Sequence, residues 1–262
     1  MGLMWHIDRC RNAVLPGARW PVRVGGALIG WALPGVAALL PATMEDKAGL
    51  DRAAGGLAAA GVFRPRGEAL DVRATLDGPV LGQVDRAAFP VLGLLAWGVH
   101  LNGLVRREDG LHLWVARRAA DKLLDPGKLD HLVAGAVAAG MTVEETLLKE
   151  GAEEAGLSPA LLGAARRVGT ISYAMERPEG LRRDALACFD VELPEAWRPA
   201  AVDGEVAGFE LWPVRAVLAE VRAGDGFKFN VNLVLIGLFL RLGLVEAPEA
   251  ERLREALGRP GW

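Results

Sequence analysis

Three glutamates lie close together in the segment KEGAEEAGL, residues 149–157, near the middle of the chain. Glu150, Glu153 and Glu154 are spaced i, i+3 and i+4, so a helix would place their carboxylates on one face. Two chemical interpretations fit this spacing. The glutamates could form a solvated acidic face, or they could be oxygen ligands for a hard divalent cation, which would relieve their mutual repulsion. The spacing alone does not decide between them.

The flanking residues predict where this helix begins and ends. Thr142 and Glu145 have the spacing of a capping box, and Gly156 suits the left-handed position that follows a helix. We therefore predict a helix that begins near Val143 and ends before Gly156. Glu145 and Lys149 are four residues apart, which predicts a favourable ion pair between them.

The wider pattern around the glutamates resembles the Nudix box, GX5EX7REUXEEXGU. The matching positions are Gly135, Glu150, Glu153, Glu154, Gly156 and Leu157. The resemblance implies a strand–loop–helix unit that binds Mg²⁺ or Mn²⁺ and hydrolyses a diphosphate linked to another group, X. It also implies that Glu150, Glu153 and Glu154 are the metal ligands and that Glu150 or Glu153 polarises the attacking water. Gly135 would let the loop bend around the metal site.

Three positions depart from the box. Met141 stands where the box has its first glutamate, Lys149 replaces the arginine, and Gly151 replaces an aliphatic residue. A lysine can still hold a carboxylate as a point charge, although it cannot form the bidentate fork of an arginine. Because the three glutamates are intact, we expect an active hydrolase. A Nudix-fold binding or regulatory protein with reduced catalysis stays open as an alternative.

Other segments resemble one Nudix subgroup, the thiamine-pyrophosphokinase-related proteins, which carry an extra N-terminal module. These segments include DPGKLDHLVAGAVAAG, GTISYAMERPEGLRRDALACFDVELP and FKFNVNLVLIGLFLRLG. This resemblance implies hydrolysis of a thiamine diphosphate-like molecule, notably an oxidised or damaged form, to its monophosphate. We predict no kinase domain in this chain. ADP-ribose, dinucleotides and nucleoside triphosphates stay open as alternative substrates.

Further side chains are candidates for the same site. Glu205 precedes a predicted strand and could be a fourth carboxylate, acting as a metal ligand or general base, while Asp203 beside it suits a turn. For substrate binding we select Tyr173 and Trp114 as aromatic contacts and Arg117 as a phosphate contact. Two asparagines, Asn230 and Asn232, lie at the start of a late apolar helix. Capping is their simplest role, and substrate contact is the less favoured alternative.

Composition limits the partners. The 262 residues carry 30 basic and 33 acidic side chains, so the net charge of −3 gives no long-range attraction to nucleic acid or anionic membranes. The longest apolar stretch, residues 232–245, is too short to cross a bilayer and contains Arg241. The chain opens without a secretory signal pattern and has two cysteines, which predicts a cytoplasmic protein. We expect a monomer or homodimer that acts on a small diphosphate.

The order of the predicted elements indicates the fold class. Two hairpins, at residues 97–119 and 166–193, flank the acidic helix, and a strand at 208–214 leads into three helices. This order predicts an α/β protein, an α/β/α sandwich with a mixed sheet, in residues 96–262. A small α+β N-terminal module should occupy residues 1–95.

Overall fold

A computed structural model describes residues 1–201 and 204–262, so the predicted turn residue Asp203 lies outside the described residues. The elements, in chain order, are α1 (Leu3–Cys10), β1 (Trp20–Val24), β2 (Ala27–Ala32), α2 (Pro34–Ala37), α3 (Lys47–Ala59), β3 (Ala69–Val72), β4 (Gly82–Asp85), α4 (Ala88–Leu92), β5 (Leu95–Arg107), β6 (Gly110–Arg118), β7 (Leu129–Asp130), β8 (Val133–Ala136), α5 (Val143–Ala155), α6 (Pro159–Leu162), β9 (Arg166–Arg177), β10 (Gly180–Glu192), β11 (Val206–Pro213), α7 (Val214–Ala223), α8 (Val231–Arg241) and α9 (Glu249–Gly258).

A seven-stranded mixed sheet forms the centre of the fold. Its main order is β11-β6-β5-β10-β9, with β7 paired to β6 and β8 paired to β5. Strands β5 and β10 run parallel, and the other pairs are antiparallel. Both predicted hairpins, β5–β6 and β9–β10, are present. The long strand β5 therefore borders β8, the strand that leads into the acidic helix.

Helices cover both faces of this sheet. On one face, α5 and α6 enclose a core that includes Leu101, Leu147 and Phe189. On the other face, α8 is buried along most of its length and packs with α1, α7 and α9. The predicted α/β/α sandwich with a mixed sheet is therefore confirmed. Among the described residues, no helix is long and apolar enough to span a bilayer.

Residues 20–94 have a hydrophobic core of their own, and we refer to them as the hairpin module. Two antiparallel hairpins, β1–β2 and β3–β4, pack with α3 and α4 around side chains such as Ile29, Leu50 and Val72. Helix α1 differs, because Leu3 and Ile7 are buried against the C-terminal helices and the central sheet. The first ten residues thus share their core with residues beyond 96, and the boundary at 95/96 stays a prediction.

Candidate active site

A cleft of about 560 Å³, which we call the carboxylate cleft, lies where α5, the end of β8, the loop before β11 and the hairpin module meet. Six carboxylates line it. Four of them are the predicted site residues Glu150, Glu153, Glu154 and Glu205, and the other two are Glu68 and Asp121. Cationic side chains line the same cleft, namely Arg66, Arg86, Arg118, Lys122, Lys149 and Lys228. The fold therefore brings the predicted metal ligands, the predicted fourth carboxylate and several potential phosphate contacts into one space.

Helix α5 is positioned by its caps. The Thr142 hydroxyl accepts a hydrogen bond from the Glu145 backbone at 3.1 Å, and the Glu145 carboxylate accepts one from the Thr142 backbone at 2.8 Å. Gly156 follows the helix with φ of 67°, a conformation that glycine adopts without strain. The predicted capping box and helix ends are confirmed.

The predicted ion pair between Glu145 and Lys149 is wrong. The capping box occupies the Glu145 carboxylate, so Lys149 contacts Glu150 at 3.0 Å and Glu153 at 2.7 Å instead. Lys149 therefore supplies the positive charge that two of the clustered carboxylates need at close range. It takes this position as a point charge shared between two carboxylates.

Glu154 is the most buried of the cleft carboxylates. Its side chain accepts a hydrogen bond from the backbone N–H of Ala134 at 2.8 Å, which ties α5 to β8. Burial raises the pKa of the Glu154 carboxyl to about 8, even though this hydrogen bond favours the ionised form. Without a cation beside it, this group holds a proton at neutral pH.

Glu150 lies against the β8 backbone at Gly135. A Cβ atom at position 135 would lie 2.5 Å from the Glu150 Cγ and 2.7 Å from its Cδ, so only glycine leaves room for the carboxylate. Burial also raises the pKa of Glu150, although Lys149 opposes that shift. At Gly151, a Cβ would lie 2.6 Å from a methyl group of Leu162. The departure from the box at position 151 is therefore matched to the packing of α6.

The remaining candidates near α5 have different surroundings. Glu153 is exposed, with 49% of its side-chain surface accessible, and Glu205 forms an ion pair with Lys122. Met141 lies in the turn before α5 and lines a neighbouring cavity beside Val143 and Arg167. Glu150, Glu153 and Glu154 keep their places in the cleft with methionine at that position.

The donor set in the cleft suits a hard divalent cation. Mg²⁺ and Mn²⁺ prefer carboxylate oxygens, and two carboxyl groups here have pKa values raised by burial, a cost that a cation offsets. A second group, His100, Asp130 and His131, is also close enough to hold a metal ion. However, Asp130 accepts hydrogen bonds from Arg118 at 2.7 Å and Lys228 at 3.5 Å, so two positive charges already lie there. These positive charges disfavour a cation at the histidine group, and the glutamate site stays a prediction.

The buried histidine group was missed by sequence reasoning. The Nδ1 atoms of His100 and His131 are 2.8 Å apart, and the group lies behind the cleft. Burial opposes ionisation of Asp130, but Lys228 and Arg118 hold its pKa well below the usual range. Its members come from β5, β7 and the following turn. No local pattern indicates that they meet.

Among the described residues, the three side chains that we predicted to contact the substrate do not line the carboxylate cleft. Tyr173 is fully buried, and its hydroxyl donates to Asp184. Trp114 packs edge-on against Trp197 in the core beneath α5, with ring centroids 6.2 Å apart. Arg117 points toward Glu210, 3.7 Å away. Its neighbour Arg118 reaches the cleft, because adjacent strand residues point to opposite faces.

The raised pKa of Glu154 predicts a pH dependence of stability. In the folded metal-free protein the carboxyl titrates near pH 8, whereas in the unfolded chain it titrates near its ordinary value of 4.5. Between these values the folded state binds one more proton, so the free energy of unfolding falls as pH rises, by on the order of 1 kcal/mol per pH unit. The slope should be measured by chemical denaturation in EDTA between pH 7 and 8, because above the ordinary histidine pKa of 6.5 the histidines are mostly neutral in the unfolded chain as well as in the folded one, where burial lowers the pKa values of His100 and His131.

Glu154→Gln should remove most of this slope, because a glutamine does not titrate. Saturating Mg²⁺ should also reduce it in the unmodified protein, because the cation stabilises the ionised carboxylate. If the unmodified protein and Glu154→Gln show the same slope in EDTA, Glu154 titrates in its ordinary range and the account of its burial is wrong.

Comparison with known proteins gives a consistent family assignment. Residues 98–230 match the family described as NUDIX domain. Over 185 residues the chain is 40% identical to Nudix hydrolase 20, chloroplastic, and 41% identical to Nudix hydrolase 24, chloroplastic, both of Arabidopsis thaliana. Each match covers 71% of this chain but only 49% and 50% of the respective plant proteins, so the chain spans about half the length of the curated relatives it matches.

Among solved structures, a crystal structure of a Deinococcus radiodurans protein resembles this chain. The sequence identity is 26% and the TM-score is 0.49. The match covers 64% of this chain and 97% of the other protein.

Proposed function

The chain belongs to the Nudix family, and from that premise we propose that it is a Mg²⁺- or Mn²⁺-dependent hydrolase of a small diphosphate-containing molecule. One observation carries this proposal. Glu150, Glu153 and Glu154 line a single cleft together with cationic side chains. Oxygen ligands for a divalent cation and positive charges for phosphate oxygens are the two requirements of phosphoryl transfer to water.

The chemistry assigns a role to each carboxylate. Glu150, Glu153 and Glu154 would hold the cation, which lowers the pKa of a bound water and neutralises charge on the phosphate oxygens. Glu150 or Glu153 accepts the proton of the attacking water. Lys149 keeps these two carboxylates oriented through its contacts at 3.0 and 2.7 Å. Glu205 lines the same cleft and is a candidate fourth carboxylate.

Phosphate binding is supported by the charges on the hairpin-module side of the cleft. Within the described residues, the guanidinium of Arg66 forms no hydrogen bond or ion pair, and Arg86 close to it pairs with Glu68. Lys228 lies at the base of the cleft, between Asp130 and Glu154. A guanidinium without an internal partner is available for a charge-assisted hydrogen bond to a phosphate. The module would therefore contribute directly to substrate binding.

For the substrate we propose a thiamine diphosphate-like molecule, in particular an oxidised form, which yields its monophosphate and phosphate. The support is the resemblance of several segments to the thiamine-pyrophosphokinase-related proteins. ADP-ribose, dinucleotides and nucleoside triphosphates are the alternatives, together with a binding protein of reduced activity. We also propose a cytoplasmic monomer or homodimer.

A hydrolysis panel tests this proposal. The protein with Mg²⁺ should hydrolyse thiamine diphosphate or its oxidised form with a higher kcat/KM than ADP-ribose, a dinucleoside polyphosphate or ATP. The organic products should be separated by chromatography, because ADP-ribose yields two monophosphates and no free phosphate. Faster turnover of the nucleotides would overturn the thiamine assignment, but the assignment as a diphosphate hydrolase would stand. Absence of cleavage of every diphosphate with Mg²⁺ and with Mn²⁺, combined with a ligand-induced rise in Tm, would favour the binding protein.

A further inference from the structure

A smaller, deeper cavity of about 120 Å³ opens from the carboxylate cleft. The two spaces share the β8 residues 134–136 and Lys228, so they are continuous. Phe89 and Leu94 of the hairpin module and Trp97 of β5 are among the apolar side chains that line the deeper cavity. The Trp97 ring nitrogen donates to the Leu76 carbonyl at 3.1 Å, which fixes the ring in the cavity wall. Charged side chains line the same cavity, namely Arg66, Arg86, Arg182, Asp184 and Lys228. The cavity therefore suits an aromatic ring that carries polar atoms and is attached to a phosphate chain in the cleft.

One buried side chain in this wall, Asn230, has a polar atom without a hydrogen-bond partner among the described residues. Asn230 lines the cavity and is only 6% exposed, and its Oδ1 atom is buried without a hydrogen bond from any described residue. The sequence favours capping over substrate contact for Asn230. The residue does occupy the N-cap position of α8, but its side chain makes no capping hydrogen bond. An unsatisfied buried acceptor is costly, so its position beside a cavity calls for a donor from a ligand.

Neighbouring groups fix the orientation of the Asn230 amide. The Tyr173 hydroxyl has one proton, which it donates to Asp184, and Arg182 holds that carboxylate at 3.4 Å. The Tyr173 oxygen can then only accept, and it accepts from the Asn230 Nδ2 at 3.4 Å. A flipped amide would bring two acceptors together. The Asp184–Tyr173 pair therefore leaves the Asn230 oxygen as the free group.

We propose that this cavity binds the group X of the substrate, and that X is an aromatic heterocycle with an N–H donor that bonds to Asn230 Oδ1. Tyr173 acts as a positioning residue for that acceptor. The inference rests on the proposed function, because it takes the diphosphate of the same molecule to lie in the carboxylate cleft. Amino-substituted pyrimidines and purines both belong to this class, so Asn230 selects for the donor and not for one ring.

Binding without turnover tests the cavity. Calorimetry in EDTA should measure the binding affinity of three compounds: thiamine monophosphate, AMP, and purine riboside 5′-monophosphate. The last differs from AMP only by lacking the amino group. We expect Asn230→Leu to lower the affinity for thiamine monophosphate or AMP by about tenfold or more, because a polar site discriminates strongly when a hydrogen bond is lost. Asn232→Leu is the matched control, since Asn232 is a buried asparagine of α8 outside the cavity lining, and it should preserve binding.

A second variant keeps the test informative if Asn230→Leu does not fold. Tyr173→Phe removes the acceptor that orients the Asn230 amide. We expect it to lower the affinity for AMP or thiamine monophosphate and to leave the affinity for purine riboside monophosphate unchanged. Equal weakening of AMP and its amino-free analogue would indicate a merely structural role and would overturn the proposal. Binding of all ligands unchanged in Asn230→Leu, or no binding to the unmodified protein, would overturn it as well.

These outcomes are separable from the proposed function. A protein that hydrolyses diphosphates while Asn230→Leu has no effect on ligand binding loses only the assignment of the cavity. A protein that binds the amino-substituted ligands through Asn230 but cleaves no diphosphate loses the hydrolase assignment and keeps the cavity.

Discussion

Glu153→Gln is expected to lower kcat for diphosphate hydrolysis by about 10³-fold, in the range that removal of a catalytic acid or base produces. The substitution keeps the size of the side chain but removes the negative charge that a divalent cation or a proton from water requires. Glu153 is half exposed and contacts Lys149 at its head group, so the variant should fold with an unchanged Tm. The measurements are phosphate release with saturating Mg²⁺ and thermal unfolding.

Glu144→Gln is the matched control on the same helix. Glu144 lies in the first turn of α5, outside the carboxylate cleft, and 64% of its side-chain surface is exposed. It should retain a kcat close to that of the unmodified protein. If both variants keep full activity, the carboxylate face of α5 does not carry the reaction, and the metal site must be sought elsewhere, first at His100, Asp130 and His131.

Gly135→Ala is expected to lower kcat/KM by about 10²-fold, because small displacements of reacting groups have effects of this size. The added methyl group would lie 2.5 Å from the Glu150 Cγ, so the Glu150 carboxylate must move away from the β8 backbone. Backbone strain should be absent, since the conformation at position 135 is not left-handed. The apparent affinity for Mg²⁺ should fall with the activity, which a metal titration of the initial rate would measure.

Gly208→Ala provides the control for a glycine in a strand. A Cβ atom there meets no heavy atom within 4 Å, and the residue also lacks a left-handed conformation. Its activity and metal dependence should match those of the unmodified protein. Unchanged activity in Gly135→Ala would mean that Glu150 can be displaced without consequence, and then Glu153 and Glu154 alone would carry the metal.

The position and the ends of α5 could be predicted because the interactions that fix them are local. Thr142, Glu145 and Gly156 fix the ends of α5 through hydrogen bonds and a backbone conformation that depend on residues at most four positions apart. The strands of both hairpins follow from alternation and turn residues in the same way. The short elements β3, β4, α4 and α6 were not predicted, since four or five residues carry too little periodicity.

Competition between local bonds and contacts between distant parts of the chain account for the rest. The predicted Glu145–Lys149 pair is wrong because two local bonds competed for one carboxylate, and the capping box used it. Arg117 was selected, whereas Arg118 reaches the cleft, because the face of a strand that meets the site depends on its neighbours in the sheet. Arg66 and Arg86 come from a module whose placement against the sheet no periodic pattern encodes.

The sequence by itself determined the glutamate face, because a helix with fixed caps converts i, i+3 and i+4 spacing directly into a shared face. The family was indicated by the resemblance of the surrounding residues to the Nudix box. Only the tertiary structure decided what surrounds that face. Burial raised the pKa of Glu154, Gly135 made room for Glu150, and the hairpin module brought arginines to the cleft. Charge, solvation and close approach depend on residues that are far apart along the chain, and packing alone brings them together.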